Sequence, residues 1–259
     1  MHMKRVTVLL ALVLAAGGVV ACDVQAGGGS PAQAIGASPA PPDLALKAAV
    51  DALDTTAHTF AVKQGTSTMN SGTVDPGGKA GTITMIDTAE QHGYTIGFTV
   101  VSPDLWVKID MGAELNEELG LNPTVWSHVD QSRLEATALK PVDRNGAPEF
   151  GVTELFRDGL SDVKRVDATH FSGTVDMTAT NSVLAPPTKV VQQAGDRARS
   201  IPFTATVDDK RRLTAFVIDG ASIDPELAFE LTFAGFDAVT PVTEPAAVPA
   251  TDNVYDFLN

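Results

Sequence analysis

Cys22 is the only cysteine among 259 residues, which narrows the chemistry it can do. A lone thiol closes no intrachain disulfide and builds no Cys₂ or Cys₄ zinc site, leaving a buried or incidental thiol or a point of covalent modification. Four histidines follow it (His58, His92, His128 and His170), scattered without metal-ligand spacing and read as surface or strand-flanking residues. Asp208-Asp209 has the chemistry of a calcium or acid–base pair. It runs directly into Lys210-Arg211-Arg212, however, and fits a solvated hairpin turn. Glu114, Glu117 and Glu118 read as one exposed helix face. No Gly-x-Ser-x-Gly elbow, His-Glu-x-x-His helix, phosphate loop or dinucleotide fingerprint occurs. The chain is therefore read as a non-enzyme without metal or cofactor.

The surroundings of Cys22 choose among its uses. Lys4 and Arg5 precede an apolar run from Val6 to Leu14, then the small residues Ala15-Ala16-Gly17-Gly18 and the tetrad Val19-Val20-Ala21-Cys22. A basic start, a short apolar stretch and small residues before a cut site mark a secretory signal, whereas a spanning helix wants roughly 20 strongly apolar residues. The tetrad resembles the bacterial lipobox. That resemblance implies a signal peptide over 1–21 and a diacylglycerol thioether on Cys22, with the protein lipid-anchored on the extracytoplasmic face of the cell membrane. The other reading is an incidental or buried cysteine ending a signal peptide or anchor helix. Cleavage removes 21 of 259 residues to leave 238, and losing Lys4 and Arg5 moves the net charge from −14 to −16. An anionic lipid surface repels such a chain, so attachment rests on the acyl chains.

Composition excludes other classes. With 44% hydrophobic and 19% charged residues the chain is too apolar for wholesale disorder. Thirty-two acidic against 18 basic side chains argue against nucleic acid as a partner. Residues 22–42 have tether composition, with Gly27-Gly28-Gly29-Ser30 and Pro39-Ala40-Pro41-Pro42.

The elements come after that tether. Asp43 is the expected N-cap of a helix carrying Leu44, Leu46, Ala48, Ala49, Val50 and Leu53 and ending near Thr55-Thr56. Strand patterns follow at Phe60–Val62, Gly72–Asp75, Ile83–Met85, Tyr94–Val100 and Leu105–Asp110, with a turn at Pro76-Gly77-Gly78. The spacing predicts a short helix over Ala113–Leu119, a short strand at Trp126–Val129 and a helix over Phe150–Leu160. Strands return at Val163–Val166 and Phe171–Met177, then a loop and short helix fill Ser182–Ala198. Ile201–Val207, Leu213–Ile218 and Leu227–Phe233 alternate as a three-strand meander. Gly-Thr-Val-Asp occurs at 72–75 and 173–176, which chance explains better than duplication. This places a globular domain over 43–239 and a Pro-rich C-terminal segment over 240–259, whose aromatics dock.

The expected fold class is α+β, a curved antiparallel half-barrel with helices covering its concave face. Helices that few and short leave part of the inner face to be covered otherwise. From alternation, the inner-face residues are Val62, Ile83, Ile96, Phe98, Trp106, Phe171, Phe203, Phe216 and Phe229. They form either an ordinary dry core or the wall of an apolar cavity. The lipobox, the tether, the opening helix, the Leu105-Trp106-Val107-Lys108 strand and the closing meander together resemble the LppX–LprG family of actinobacterial lipoproteins. The resemblance covers most of Asp43 to Phe236, by pattern and order. It implies a fold like the LolA/LolB carriers and a cavity for the acyl chains of a lipid or glycolipid, carried for lipid transfer or envelope assembly with a membrane transporter as partner. The alternative is a surface lipoprotein with a solid core, acting as a protein-interaction or sensor module.

Overall fold

The computed structural model describes residues 40–66, 68–88, 93–135, 141–142, 146–180, 182 and 184–259. Cys22, the leader, His92 and all but the last three residues of the tether lie outside the described residues. Helix α1 (Pro42–Asp51) opens the domain and tightens into a 3₁₀ turn at Ala52–Asp54. Its N-cap is Pro41 rather than Asp43, because Pro42 supplies the fixed φ and missing N–H that suit a first helical position. Asp43 sits instead in the first turn, where a carboxylate meets the positive end of the helix dipole.

Five antiparallel strands follow as one meander: β1 (His58–Gln64), β2 (Thr68–Asp75), β3 (Ala80–Asp87), β4 (Tyr94–Val101) and β5 (Asp104–Asp110). Helix α2 (Ala113–Leu119) and the short β6 (Trp126–Val129) come next. A second meander runs through β7 (Leu160–Arg165), β8 (His170–Val175), β9 (Ile201–Val207), β10 (Leu213–Ile218) and β11 (Phe229–Ala234), with α3 (Thr188–Ala194) between β8 and β9. The two meanders join where β1 pairs antiparallel with β11, Phe60 opposite Phe233 and Val62 opposite Leu231. The result is one curved, unclosed twelve-stranded sheet in an α+β fold, with β7 at one edge.

The other edge is made by the C-terminal segment. Strand β12 (Ala247–Pro249) pairs parallel with β6, and α4 (Asp252–Leu258) buries Val254, Tyr255 and Leu258. Proline is tolerated in β12 because an edge strand needs no second set of N–H donors. The Asp130 N–H donates to the Tyr255 hydroxyl at 2.9 Å, and the Arg133 guanidinium lies 3.8 Å over the Tyr255 ring.

Register fixes which side chains share a face, since residues directly opposite one another do so. One row runs Phe233, Phe60, Gly72, Ile83, Phe98, Val107. The next runs Leu231, Val62, Asn70, Met85, Ile96, Ile109. The apolar side chains of these rows belong to a buried cluster, with Met85 packed against it partly buried, and the cluster also takes Leu46, Ala49, Val50 and Leu53 from the first helix and its 3₁₀ extension. Gly72 and Gly173, from the repeated tetrad, each lie under a phenylalanine ring, Phe60 and Phe203, where a Cβ would come within 2.7 Å of the ring. The neighbours are mirrored: Phe60 belongs to the strand before β2, Phe203 to the strand after β8. Mirrored surroundings are not those of a duplicated unit.

No helix forms over Phe150–Leu160, which corrects the expectation from periodicity. The segment is a run of turns in which Arg157 N donates to Thr153 O at 2.9 Å, and Gly159 already accepts from Asp176 N as β7 begins. One closed turn does not offset the cost of helix nucleation. The apolar spacing was real but serves burial: Phe150, Val152, Leu155 and Phe156 all enter the core. Phe156 stacks on Phe216 at 4.2 Å and 11°, and Phe216 stacks on Phe203 at 4.7 Å and 17°.

Candidate functional site

The 3₁₀ turn, β1, β2 and the turn segment at 147–157 surround a partly open pocket of about 390 Å³. Its apolar walls are Leu53, Phe60, Val74, Phe150 and Val152. The Phe60 and Phe150 rings meet at 5.9 Å, tilted by 40°. Charged groups stand among these walls: Asp54, Glu149 and Glu154 against Lys79 and Arg157. Lys79 closes the Pro76-Gly77-Gly78 turn, which Asp75 braces by accepting from the Gly78 N–H at 3.0 Å.

Arg157 and Asp54 tie the two sides of the pocket together. One Arg157 terminal nitrogen donates to both Asp54 oxygens at 2.7 Å and to Thr153 Oγ1 at 2.7 Å, while Glu154 lies 4.0 Å away. Arg157 Nε is buried without a hydrogen-bond partner among the described residues. His58, 4% exposed, packs its ring on Phe233 at 5.8 Å and Phe236 at 6.0 Å. Its Nδ1–H donates to the Thr56 carbonyl at 2.8 Å, which leaves Nε2 as an acceptor. Burial pushes the His58 pKa below the ordinary 6.5, outweighing that hydrogen bond and the charge of Asp54. The imidazole is thus a neutral wall group at neutral pH.

The residues singled out from alternation lie elsewhere. Val62, Ile83, Ile96, Phe98, Phe171, Phe203, Phe216 and Phe229 are all buried in the core cluster, and none lines this pocket. Phe203 and Phe229 do border a second pocket of about 360 Å³ beside Lys63, Val217 and Glu230. Trp106 is a correction: Leu105, Val107 and Ile109 take the core-facing positions of β5, so Trp106 points to the opposite face. There its indole stacks on His128 at 5.3 Å, and His128 Nε2 lies 2.8 Å from Asp104. The remaining candidates for chemistry do local work. Asp167 pairs with His170 at 2.8 Å, and its carboxyl is held down at about 2, chiefly by the Thr169 N–H and the His170 ring. Asp208 braces its hairpin by accepting from Lys210 N and Arg212 N at 2.9 Å. Glu114, Glu117 and Glu118 are exposed on α2.

His58 and Phe60 could have been found from sequence, since they alternate with Val62 on β1. Arg157 gave no such signal, because its partner Asp54 is 103 positions away. Among the described residues, no group of three or more His, Cys, Asp or Glu could hold a metal ion. No helix there is long and apolar enough to cross a membrane. Compared with protein-family models and with curated proteins, the chain matches none.

Proposed function

We propose that this chain is an extracytoplasmic lipoprotein, anchored through diacylglycerol on Cys22, that takes the acyl portion of a lipid or glycolipid into the pocket between β1, β2 and residues 147–157. The role is lipid transfer or envelope assembly, as the resemblance to the LppX–LprG family implies. In that reading α1 and the 150–157 turns close the concave face, and the pocket is the part left open. The observation that carries it is an apolar-walled, partly open space of about 390 Å³ with charged groups among its walls, which suits an amphiphile. Its size falls in the range of roughly 300–1,000 Å³ usual for small-molecule sites. Moving apolar chain from water into it gains about 25 cal/mol per Å² buried.

Native mass spectrometry and lipid extraction of the Cys22→Ser protein test the binding step. Co-purified lipid is expected, with lower occupancy in a Val74→Trp variant that fills the wall. Absence of lipid from a folded wild-type sample defeats the proposal. The anchor is tested separately, by loss of labelled fatty acid and of membrane retention in Cys22→Ser.

A second reading, a solid surface module that binds protein, is favoured by the Phe156–Phe216–Phe203 stack, which fills the face where an internal cavity was expected. Lipid-free protein that captures a partner through its surface would establish it instead.

A further inference from the structure

The charges around the pocket of β1, β2 and residues 147–157 do not all cancel. Asp54 has both carboxylate oxygens on one Arg157 terminal nitrogen at 2.7 Å. Glu154 accepts from Thr153 Oγ1 at 3.2 Å and stands 4.0 Å from Arg157, and Glu149 has a partner as well. Lys79 is the lining charge left over, because its ammonium has no hydrogen-bond or ion-pair partner among the described residues. A second donor is left over in the same wall: Arg157 Nε–H is buried without an acceptor among the described residues. Each lining carboxylate is thus engaged, while positive charge and N–H groups still lack an oxygen.

The backbone at Lys79 points the same way. Lys79 closes the Pro76-Gly77-Gly78 turn at φ +48°, its N–H donating to the Pro76 carbonyl at 3.2 Å. That left-handed conformation suits glycine or asparagine and is strained for a lysine. Strain kept at the rim of a pocket is a mark of a functional side chain. Size sets the rest of the ligand. About 390 Å³ lies near the lower end of the roughly 300–1,000 Å³ usual for small-molecule sites. Such a space takes one hydrocarbon chain against Phe60 and Phe150 and leaves a second in water.

We infer that the ligand of this pocket is a single-chain anionic amphiphile, a fatty acid or another one-chain lipid with an oxyanion head, held at the rim by the Lys79 ammonium. The inference rests on the acyl-binding reading above and narrows it to one class of lipid. A cationic head meets Lys79 as a like charge, and a neutral head leaves the ammonium without a counter-ion. The net charge of −14 opposes an anion only at long range. Salt screens that field within about 8 Å at physiological ionic strength, so the local ammonium decides.

The test titrates the full Cys22→Ser chain, freed of co-purified lipid, with laurate, dodecylamine and dilauroylphosphatidate by calorimetry. Laurate is expected to bind most tightly of the three, one per chain. Lys79→Asn removes the ammonium with a residue that takes left-handed backbone more readily, so Tm should hold or rise. The same variant should weaken laurate roughly five- to tenfold, the loss of one partly exposed charge pair, and Lys79→Arg should keep the affinity. Laurate bound no better than dodecylamine, or unaffected by Lys79→Asn, overturns the anionic head and leaves the acyl pocket standing. Dilauroylphosphatidate bound as tightly as laurate overturns the single-chain limit. Folded protein that binds none of the three overturns the acyl-binding reading, and this inference with it.

Discussion

Replacing Phe156 with alanine tests whether the face under the turn segment is packed solid or yields to a ligand. Phe156 is fully buried and stacks at 4.2 Å on Phe216, itself fully buried, which stacks at 4.7 Å on Phe203. Removing the ring loses its transfer free energy, opens a cavity and breaks an aromatic pair. Deletions of buried phenylalanine cost about 3–5 kcal/mol, of which the pair itself accounts for roughly 0.5–1.5. Against a total stability of about 5–15 kcal/mol that is a large fraction. For a domain of this size it lowers Tm by roughly 6–20 °C, at about 2–4 °C per kcal/mol. Phe156→Leu keeps most of the volume and should cost under half as much. Urea denaturation followed by tryptophan fluorescence measures both, with the midpoint falling and the slope unchanged. A loss below about 1 kcal/mol for Phe156→Ala would refute the reasoning, because surroundings that close so easily were not a packed core. Such a result, paired with increased lipid uptake by the variant, would move the binding site from the pocket to the sheet face.

Other outcomes follow from single contacts. His58, buried with its pKa depressed, binds its proton more weakly in the folded than in the unfolded protein. Stability is therefore full above about pH 6.5 and falls as pH drops through that value, and His58→Phe should flatten the slope below about pH 6.5 in denaturation series. Gly72→Ala drives a Cβ into the Thr82 carbonyl oxygen and should cost at least about 1–3 kcal/mol, as overpacking does. Gly77→Ala, whose nearest neighbour is 3.5 Å away, should stay within about 0.5 kcal/mol by the same measurement. Tyr255→Phe leaves the Asp130 N–H without its acceptor and should cost about 1–3 kcal/mol. Asp252→Asn removes an ion pair whose acid is 82% exposed and should leave the denaturation midpoint essentially unchanged.

The strands were readable because alternation is local: a two-residue period needs no distant partner to show itself, and a polar turn every few positions cuts it into lengths. That same locality explains the misreadings. In Leu105-Trp106-Val107 three apolar residues stand in a row, so the strand's own pattern does not say which parity faces the core. The partner strands decide, by setting Leu105 against Val100 and Val107 against Phe98. Trp106 is left to bury its indole on the other face, against His128. An aromatic side chain can be 95% covered without being core, which sequence hydrophobicity does not distinguish. Phe150 to Leu160 shows the converse, since helical spacing of apolar residues also suits turns laid against a sheet.

The pocket was illegible for a different reason. Its walls come from residues 53–79 and 147–157, and the bond that joins them links Asp54 to Arg157 across 103 positions. Nothing in either segment announces the other. What brings them together is the order of the sheet: β1 lies in its middle because its second partner is β11, near the far end of the chain. Residues 150–156, arriving just before the second meander begins, cross the inner face of both halves, with Phe150 against Phe60 of β1 and Phe156 against Phe216 of β10. The pocket lies where that crossing segment meets the 3₁₀ turn after α1. Its two sides are thus pinned by contacts of different kinds, ring packing under the sheet-facing residues and a paired arginine where they meet the helix. A ligand that enlarges the pocket must strain the second before the first, since the Arg157–Asp54 pair is partly exposed and the rings are not.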